Sequence, residues 1–84
     1  MEIRKELQWF VQEMETQLKE NDHKGGWKNC TDSYLLSRLL EEVSELLLVT
    51  LENDQLRIKE EAADVANFAM MIADNRYYEN KEGV

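Results

Sequence analysis

Proline is absent from all 84 residues of this chain, and glycine occurs only at positions 25, 26 and 83. Because these two residues most often interrupt helices, little in the sequence opposes long helical segments. Three segments repeat apolar residues every three or four positions, which is the spacing of an amphipathic helix. The sequence therefore predicts a single all-α domain over residues 1–84, an antiparallel helical bundle of about three main helices.

Polar connections separate the three predicted helices. We expect one helix over about residues 2–20, a second that begins after residue 32 or 33 and continues to about 52, and a third from about 55 to 76. Asp32 or Ser33 can cap the second helix, and Asp54 can cap the third. The connection between helices two and three is so short that they must be antiparallel neighbours. Residues 77–84 form a polar tail that is expected to fray, although its two tyrosines can dock.

The second predicted helix is apolar on nearly all sides. One broad face consists of Leu36, Leu39, Leu40, Val43, Leu46 and Leu47. The other side holds the acidic stretch EEVSE at 41–45, together with Leu48 and Val49. A helix of this kind usually lies inside a bundle, and a chain this short buries little surface alone. We therefore expect a homo-oligomer to complete the fold.

Carboxylates crowd the interior of the predicted bundle. Glu61 and Asp64 share their sector of the third helix with three apolar side chains, so they should point inward. On the second helix, Glu42 and Glu45 project side by side from one face, and the third-helix pair has the same spacing. Two such pairs on antiparallel neighbours can form one four-carboxylate site for Mg²⁺ or Mn²⁺, which would offset the repulsion. The alternative is that they are solvated faces of a charge-rich helical protein.

The charge balance excludes some partners. Eighteen acidic residues against ten basic ones give a formal net charge of −8. Nucleic acid and anionic membranes both need a basic patch that neutralises phosphate, so neither is an expected partner. No apolar run approaches the roughly 20 residues of a membrane span. The single cysteine, Cys30, cannot form an internal disulfide and no secretory signal pattern is present, so a reducing, cytoplasmic location is expected.

The acidic motifs and their surroundings resemble a known family. Glu41-Glu42-x-x-Glu45, followed after fifteen residues by Glu61-x-x-Asp64, is similar to the EExxE and ExxD signature of MazG-like nucleotide pyrophosphohydrolases. The stretches HKGGW at 23–27 and DVANF at 64–68 also look like short members of this all-α family. The resemblance covers nearly the whole chain. It implies Mg²⁺-dependent hydrolysis of (deoxy)nucleoside triphosphates to a monophosphate and pyrophosphate, in a dimer or tetramer.

The resemblance also implies roles for the residues that match the motifs. Glu42, Glu45, Glu61 and Asp64 would be the metal ligands. Glu41 would support them, either as a ligand of a second metal or by orienting water. Such an activity fits nucleotide-pool house-cleaning, and the sequence does not specify the preferred base.

The connection before the second helix carries most of the predicted substrate-binding residues. Candidate cations for the triphosphate oxygens are Lys24, Lys28, Arg38, Lys59 and Arg76. Lys24 and Lys28 rank first because they flank the two adjacent glycines. A base needs an aromatic face and polar partners for its edge, and Trp27 and His23 are the first candidates.

Two further residues have more than one interpretation. Asn67 lies one turn beyond Asp64, where its amide can reach the sugar or base of a substrate, or can bond a neighbouring helix. Trp9 lies off the apolar stripe of the first helix, so it should pack on a subunit partner or, less favoured, line a nucleotide pocket. A pocket on so short a chain is expected to be completed by another subunit.

A different class of function is also compatible with the pattern. The chain can be a non-catalytic acidic helical module that serves oligomerisation or regulation. The presence of all four motif carboxylates argues against this alternative, because a degenerate module should have lost at least one.

Overall fold

The structure is a computed structural model that describes residues 1–82, with side-chain surroundings as far as Tyr77. Within this range the chain forms three α-helices and a single 3₁₀ turn, Asp22–Lys24. The helices are α1, Lys5–Asn21; α2, Asp32–Leu51; and α3, Gln55–Glu82. The all-α, antiparallel architecture predicted from the sequence is confirmed, and no strand occurs in the described range.

The third helix is longer than the sequence predicted. α3 continues to Glu82, so the expected end at Arg76 is wrong, and residues 77–82 continue the helix. Neither proline nor glycine occurs between positions 27 and 82, so no residue in this stretch forces the helix to stop. Residues 83–84 and the predicted docking of Tyr78 lie outside the described residues.

A threonine, and not the predicted residues, caps α2. Thr31 has extended backbone geometry, and its Oγ1 atom accepts a hydrogen bond from the backbone N–H of Tyr34 at 3.1 Å. The predicted caps, Asp32 and Ser33, are therefore wrong. Asp32 already lies in the first helical turn, where its carboxylate accepts a hydrogen bond from Arg76 of α3.

A short connection, residues 52–54, turns α2 back onto α3. Asn53 has a φ of 58°, in the left-handed region that asparagine tolerates better than most residues. Asp54 caps α3 as predicted, since its Oδ1 atom accepts a hydrogen bond from the backbone N–H of Arg57 at 3.3 Å. α2 and α3 are antiparallel neighbours along their length, which confirms the predicted hairpin.

α3 lies in the middle of the fold. α2 packs along one side of it and α1 along another, and over the residues described α1 and α2 do not pack on each other. The radius of gyration is 14.1 Å. A compact chain of this length is expected near about 12 Å. The fold is therefore open between its outer helices.

The buried core is small. Among the described residues, the almost completely buried apolar side chains are Leu35, Val49 and Ala63, and the buried polar ones are Gln17 and Asn67. Many large apolar side chains remain exposed to solvent. No helix in the described range is long and apolar enough to cross a membrane.

α2 packs on α3 with part of its broad apolar face and with part of the side that carries the acidic stretch. The side chains that α2 buries or half-buries include Leu35, Leu39, Glu42, Leu46 and Val49. Four residues of the broad apolar face are 44–67% exposed, and we call them the outer stripe: Leu36, Leu40, Val43 and Leu47. Because α2 is apolar on both sides, periodicity alone does not select a face, and contact with α3 selects the one that carries Glu42.

Candidate functional site

Three carboxylates from two helices converge between α2 and α3. Glu42 projects from α2, Glu61 and Asp64 project from α3, and one oxygen of each lies within 4.8 Å of the other two. We call this group the acidic triad. All three residues are partly buried, and the side chain of Glu42 is only 13% exposed. The α3 pair thus points toward α2, as its position on the helix predicted.

The environment favours the neutral form of two triad members. Burial, the hydrogen bond that a protonated Glu61 can donate to Glu42, and the charges of three neighbouring carboxylates raise the pKa of Glu61 to about 7. Burial and the charges of three glutamates raise the pKa of Asp64 to about 6, although nearby Arg38 opposes this shift. Ionising these groups in the folded chain therefore costs free energy, which a bound proton or cation would offset.

The acidic triad fits a hard divalent cation. Mg²⁺ binds oxygen ligands at about 2.0–2.1 Å in octahedral geometry, so its ligand oxygens lie about 3 to 4.2 Å apart. The triad oxygens, within 4.8 Å of one another, need only a small movement to reach that spacing. The Oε2 atom of Glu61 is buried without a hydrogen-bond partner, and a cation would satisfy it. Three carboxylates without histidine or cysteine suit Mg²⁺ or Mn²⁺ better than zinc.

Two other carboxylates of the acidic motif lie outside the triad. Glu45 is about half exposed, and its Oε2 atom lies 3.9 Å from Nη2 of Arg57. Its charge still acts on Glu61, so it stands at the edge of the site. Glu41 is exposed and pairs with Arg38. The structure thus brings together three of the four predicted ligands, and ligation by Glu45 stays a prediction.

Arg38 lies next to the acidic triad and contacts side chains of both α2 and α3. Its guanidinium donates hydrogen bonds to Glu41 and to Glu42, the second at 3.0 Å. Its Cζ atom also lies 5.1 Å from the centroid of the Phe68 ring on α3. These contacts hold the positively charged guanidinium of Arg38 next to the carboxylates. In this position it can bind an anionic group that a metal also binds.

A cleft of about 390 Å³ lies beside the acidic triad, between α2 and α3, and of the triad Glu42 and Asp64 line it. Small-molecule pockets are typically about 300 to 1,000 Å³. We call residues 22–31, which join α1 to α2, the α1–α2 connection, and its glycines help to line the cleft. Besides the triad members, the side chains that line the cleft include Lys24, Trp27, Tyr34, Arg38, Phe68 and Met71.

Membership of a known family is not shown for this chain. Comparisons with protein-family models, curated proteins and solved structures found no match. The resemblance to MazG-like enzymes therefore rests on the sequence motifs and stays a prediction.

Two predicted substrate-binding residues, Lys24 and Trp27, line the cleft. Lys28 lies beyond Trp27 and forms an ion pair with Asp74 of α3. His23 is exposed on the 3₁₀ turn and is not among the residues that line the cleft. The α1–α2 connection therefore supplies one lysine and one aromatic ring to the cleft.

Asn67 and Trp9 lie away from the cleft. Asn67 is 2% exposed, and its Nδ2 atom donates a hydrogen bond to the carbonyl oxygen of Met14 on α1 at 3.0 Å. This contact matches the interpretation as a buried amide that bonds a neighbouring helix. Trp9 is 52% exposed on α1 and packs edge to face against Phe10, with 5.5 Å between the ring centroids.

The remaining candidate cations are engaged elsewhere. Lys59 lies 3.4 Å from a carboxylate oxygen of Glu13 on α1. Arg76 pairs with Asp32 at the start of α2. Of the five predicted cations, Lys24 and Arg38 are the ones that line the cleft.

Sequence reasoning did not assign several lining residues to the cleft, among them Tyr34, Phe68 and Met71. Tyr34 lies four positions before Arg38, and Phe68 and Met71 lie four and seven positions after Asp64. This is the spacing of one helix face, so each continues the surface that already holds a charged site residue. That spacing was the available signal. Cys30, a free half-buried thiol, lines the cleft as well.

Proposed function

We propose that this chain is a Mg²⁺-dependent nucleoside triphosphate pyrophosphohydrolase of the MazG-like kind. It would convert a (deoxy)nucleoside triphosphate to the monophosphate and pyrophosphate, as a house-cleaning enzyme of the cytoplasmic nucleotide pool. The observation that carries the proposal is the acidic triad, two of whose members, Glu42 and Asp64, line a cleft whose walls also hold two cations and an indole ring. This combination suits a polyphosphate that carries a divalent cation and ends in a flat base.

The acidic triad would hold the metal. Glu42, Glu61 and Asp64 present oxygens from two helices, so both helices must stay in register for the site to exist. Bound Mg²⁺ would neutralise phosphate oxygens and lower the pKa of a water for attack at the α-phosphorus. Glu45, whose charge acts on Glu61, would contribute a further ligand by turning away from Arg57. Glu41 would act through Arg38, by holding the guanidinium beside the triad.

Local charge explains how a strongly acidic chain could bind a polyanion. The carboxylates would contact the cation and not the phosphates, while Arg38 and Lys24 face the remaining phosphate oxygens. The ring of Phe68 also contacts the guanidinium of Arg38, so this cation would need little reordering to bind. The ring of Trp27 offers the base a surface for stacking.

We further propose that the working unit is a homodimer or homotetramer. The chain has 6527 Å² of accessible surface, whereas a folded monomer of this mass is expected to have about 5,200 Å². The excess is larger than the roughly 800 Å² that each partner buries in a standard interface. The outer stripe on α2 supplies an apolar row at helical spacing that a second copy can cover.

Product analysis tests the proposed reaction. The purified chain is incubated with Mg²⁺ and each of the canonical and several damaged nucleoside triphosphates, and pyrophosphate and orthophosphate are measured separately. We expect pyrophosphate and the monophosphate in equal amounts. Glu42→Gln should lower the rate of release about a thousandfold, and Glu52→Gln, at an exposed position after α2, is the matched control that should not change it.

The same assay separates the proposal from its alternative. Orthophosphate in place of pyrophosphate would reject the reaction and point to a phosphatase. An oligomer that turns over no nucleotide would favour the non-catalytic helical module.

A further inference from the structure

Three consecutive side chains of α3 hold the segment that leads into α2. Asp74 accepts a hydrogen bond from the indole Nε1–H of Trp27 at 2.9 Å and also pairs with Lys28. Asn75 donates from Nδ2 to the backbone carbonyl of Trp27 at 3.0 Å. The next residue, Arg76, pairs with Asp32 at the start of α2. Trp27 is therefore bound twice, through its ring and through its backbone.

These contacts continue the α3 surface that forms the cleft. Asp64, Phe68 and Met71 line the cleft, and Asn75 lies four positions beyond Met71 on the same helix face. Asp74 is ten residues from Asp64, which is about 15 Å along a helix. The Trp27 contacts and the acidic triad are thus distant parts of one surface, and a change in one can leave the other intact.

We propose that Asp74 and Asn75 are positioning residues that fix the Trp27 ring as a wall of the cleft and thereby set how tightly the cleft binds the base of its nucleotide. The inference rests on the proposed function for the identity of the ligand. Neither residue is among those that line the cleft, so both act through Trp27.

The α1–α2 connection needs such contacts because its backbone is permissive. Gly25 has a φ of 92°, and nothing lies within 4 Å of the position that a side chain would occupy on either Gly25 or Gly26. A segment with two open glycines can adopt many conformations, and ordering it on binding would cost free energy. Two hydrogen bonds from α3 order Trp27 before any ligand arrives.

The bond to the indole ring should matter more than the ion pair. The side chain of Lys28 is 58% exposed, and exposed ion pairs contribute little. The Trp27–Asp74 hydrogen bond is part-buried and directional, so it selects one orientation of the ring. Asp74→Asn keeps an oxygen that can accept from the indole and removes the charge facing Lys28, so it separates the two contacts.

The experiment uses the full chain with Trp9→Phe, which leaves Trp27 as the single tryptophan. Asp74→Ala, Asp74→Asn and Asn75→Ala are compared with Glu15→Ala, an exposed α1 carboxylate away from the cleft. Acrylamide quenching of Trp27 fluorescence reports the order of the ring. Binding of the α,β-imido analogues of the four deoxynucleoside triphosphates with Mg²⁺ reports affinity without turnover, and kcat and KM are measured on the natural nucleotides.

We expect Asp74→Ala to increase quenching of Trp27, to weaken analogue binding and raise KM about tenfold, and to change kcat less than about twofold. Asn75→Ala should act in the same direction. Asp74→Asn should stay within about threefold of the parent, and the thermal shift caused by Mg²⁺ alone should be the same in all variants.

Analogue binding and ring order that are unchanged in Asp74→Ala would overturn the inference while leaving the proposed reaction standing. A kcat that falls together with the Mg²⁺ shift would also overturn it, because that pattern marks a general structural defect. If the parent binds the analogues but releases no pyrophosphate, the proposed reaction fails and the binding comparison still decides the role of Asp74. A parent that binds no analogue rejects both.

Discussion

The two apolar faces of α2 differ in what they contact and in what they carry. The inner face packs on α3, and it holds Leu35 and Val49, both 1% exposed, together with Arg38 and Glu42. The outer stripe, centred roughly 130° away around the helix, is purely apolar and has no covering element among the described residues. The inner face, which holds both charged and apolar side chains, is thus buried, whereas the purely apolar outer stripe is exposed.

This difference shows that hydrophobicity alone does not decide which face of α2 is buried. If transfer of apolar surface alone decided the packing, the outer stripe would lie against α3, since it contains no charge to desolvate. A chain that instead buries carboxylates within its own hairpin retains a second apolar surface. The comparison therefore predicts separate roles: the inner face for chemistry and the outer stripe for assembly.

The largest expected effect comes from the inner face. Glu42→Gln should lower kcat about a thousandfold, because a metal that stabilises charge and activates water contributes several kcal/mol to the barrier reduction. Circular dichroism should show the same helix content as the parent. Steady-state kinetics of pyrophosphate release measure the loss, with Glu52→Gln as the control. Loss of helix content together with activity would mean that Glu42 supports the fold. That result would contradict a purely chemical role for the inner face.

The next effect tests the outer stripe. Leu40 is 67% exposed, so Leu40→Lys should change the fold of one chain little but place a charge in the proposed interface. We expect the assembly to dissociate to monomers at micromolar concentration, as measured by light scattering coupled to size-exclusion chromatography. Ser37→Lys adds the same charge at another exposed position of α2 and should leave the assembly intact. A parent chain that is already monomeric would contradict this assignment directly.

A smaller effect concerns pH and metal. Glu61 and Asp64 have folded-state pKa values of about 7 and 6, above their ordinary values of 4.5 and 3.8. Their protonation therefore stabilises the metal-free fold fully below the ordinary values, and this stability is lost as pH rises through about 6 to 7. Since metal ligands must be ionised, the Tm increase caused by Mg²⁺ or Mn²⁺ should be small near pH 5 and should grow up to pH 8.

Thermal melts of the parent and of Asp64→Asn, with and without metal, check this dependence. Removing the Asp64 carboxyl should reduce the slope of both curves between pH 5 and 8, and the slope that remains should come from Glu61. An unchanged metal shift in Asp64→Asn would show that the cation binds elsewhere.

The smallest expected effect concerns Trp27, which lines the cleft together with residues of the inner face of α2. Trp27→Ala should raise KM about tenfold and reduce discrimination among bases, with kcat nearly unchanged, because stacking of a base on an aromatic ring contributes about 1–3 kcal/mol. Trp9→Phe should leave KM unaltered, since Trp9 is outside the cleft. Equal effects of the two substitutions on KM would argue that neither tryptophan contacts the base.

Local patterns predicted the helices and much of the site. Periodicity located the three helices, the connecting glycines located the loop, and the wheel position of Glu61 and Asp64 predicted that they face inward. These features depend on residues within a few turns of one another. Repulsion between such carboxylates could also be anticipated from the residue types alone.

The features that were wrong or missed depend on tertiary packing. Thr31 caps α2 because the chain enters the helix there, and its neighbours Asp32 and Ser33 have similar capping propensity. The packed face of α2 is decided by α3, since both faces are apolar. The Trp27–Asp74 hydrogen bond joins residues 47 positions apart, and no local pattern specifies it.

Asn53 lies at the midpoint of a symmetrical spacing in the hairpin. Glu42 and Asp64 are each eleven residues from it, Arg38 and Phe68 are each fifteen, and Glu45 and Glu61 are each eight. Two of these pairs meet across the helices, Glu42 with Asp64 in the acidic triad and Arg38 with Phe68. One residue inserted within α2 after Glu45 would rotate Glu42 and Glu45 by roughly 100° relative to the part of the helix that follows. Such a chain would keep every carboxylate of both motifs and lose the metal site, so the information for this site is held in the count of residues as well as in their identity.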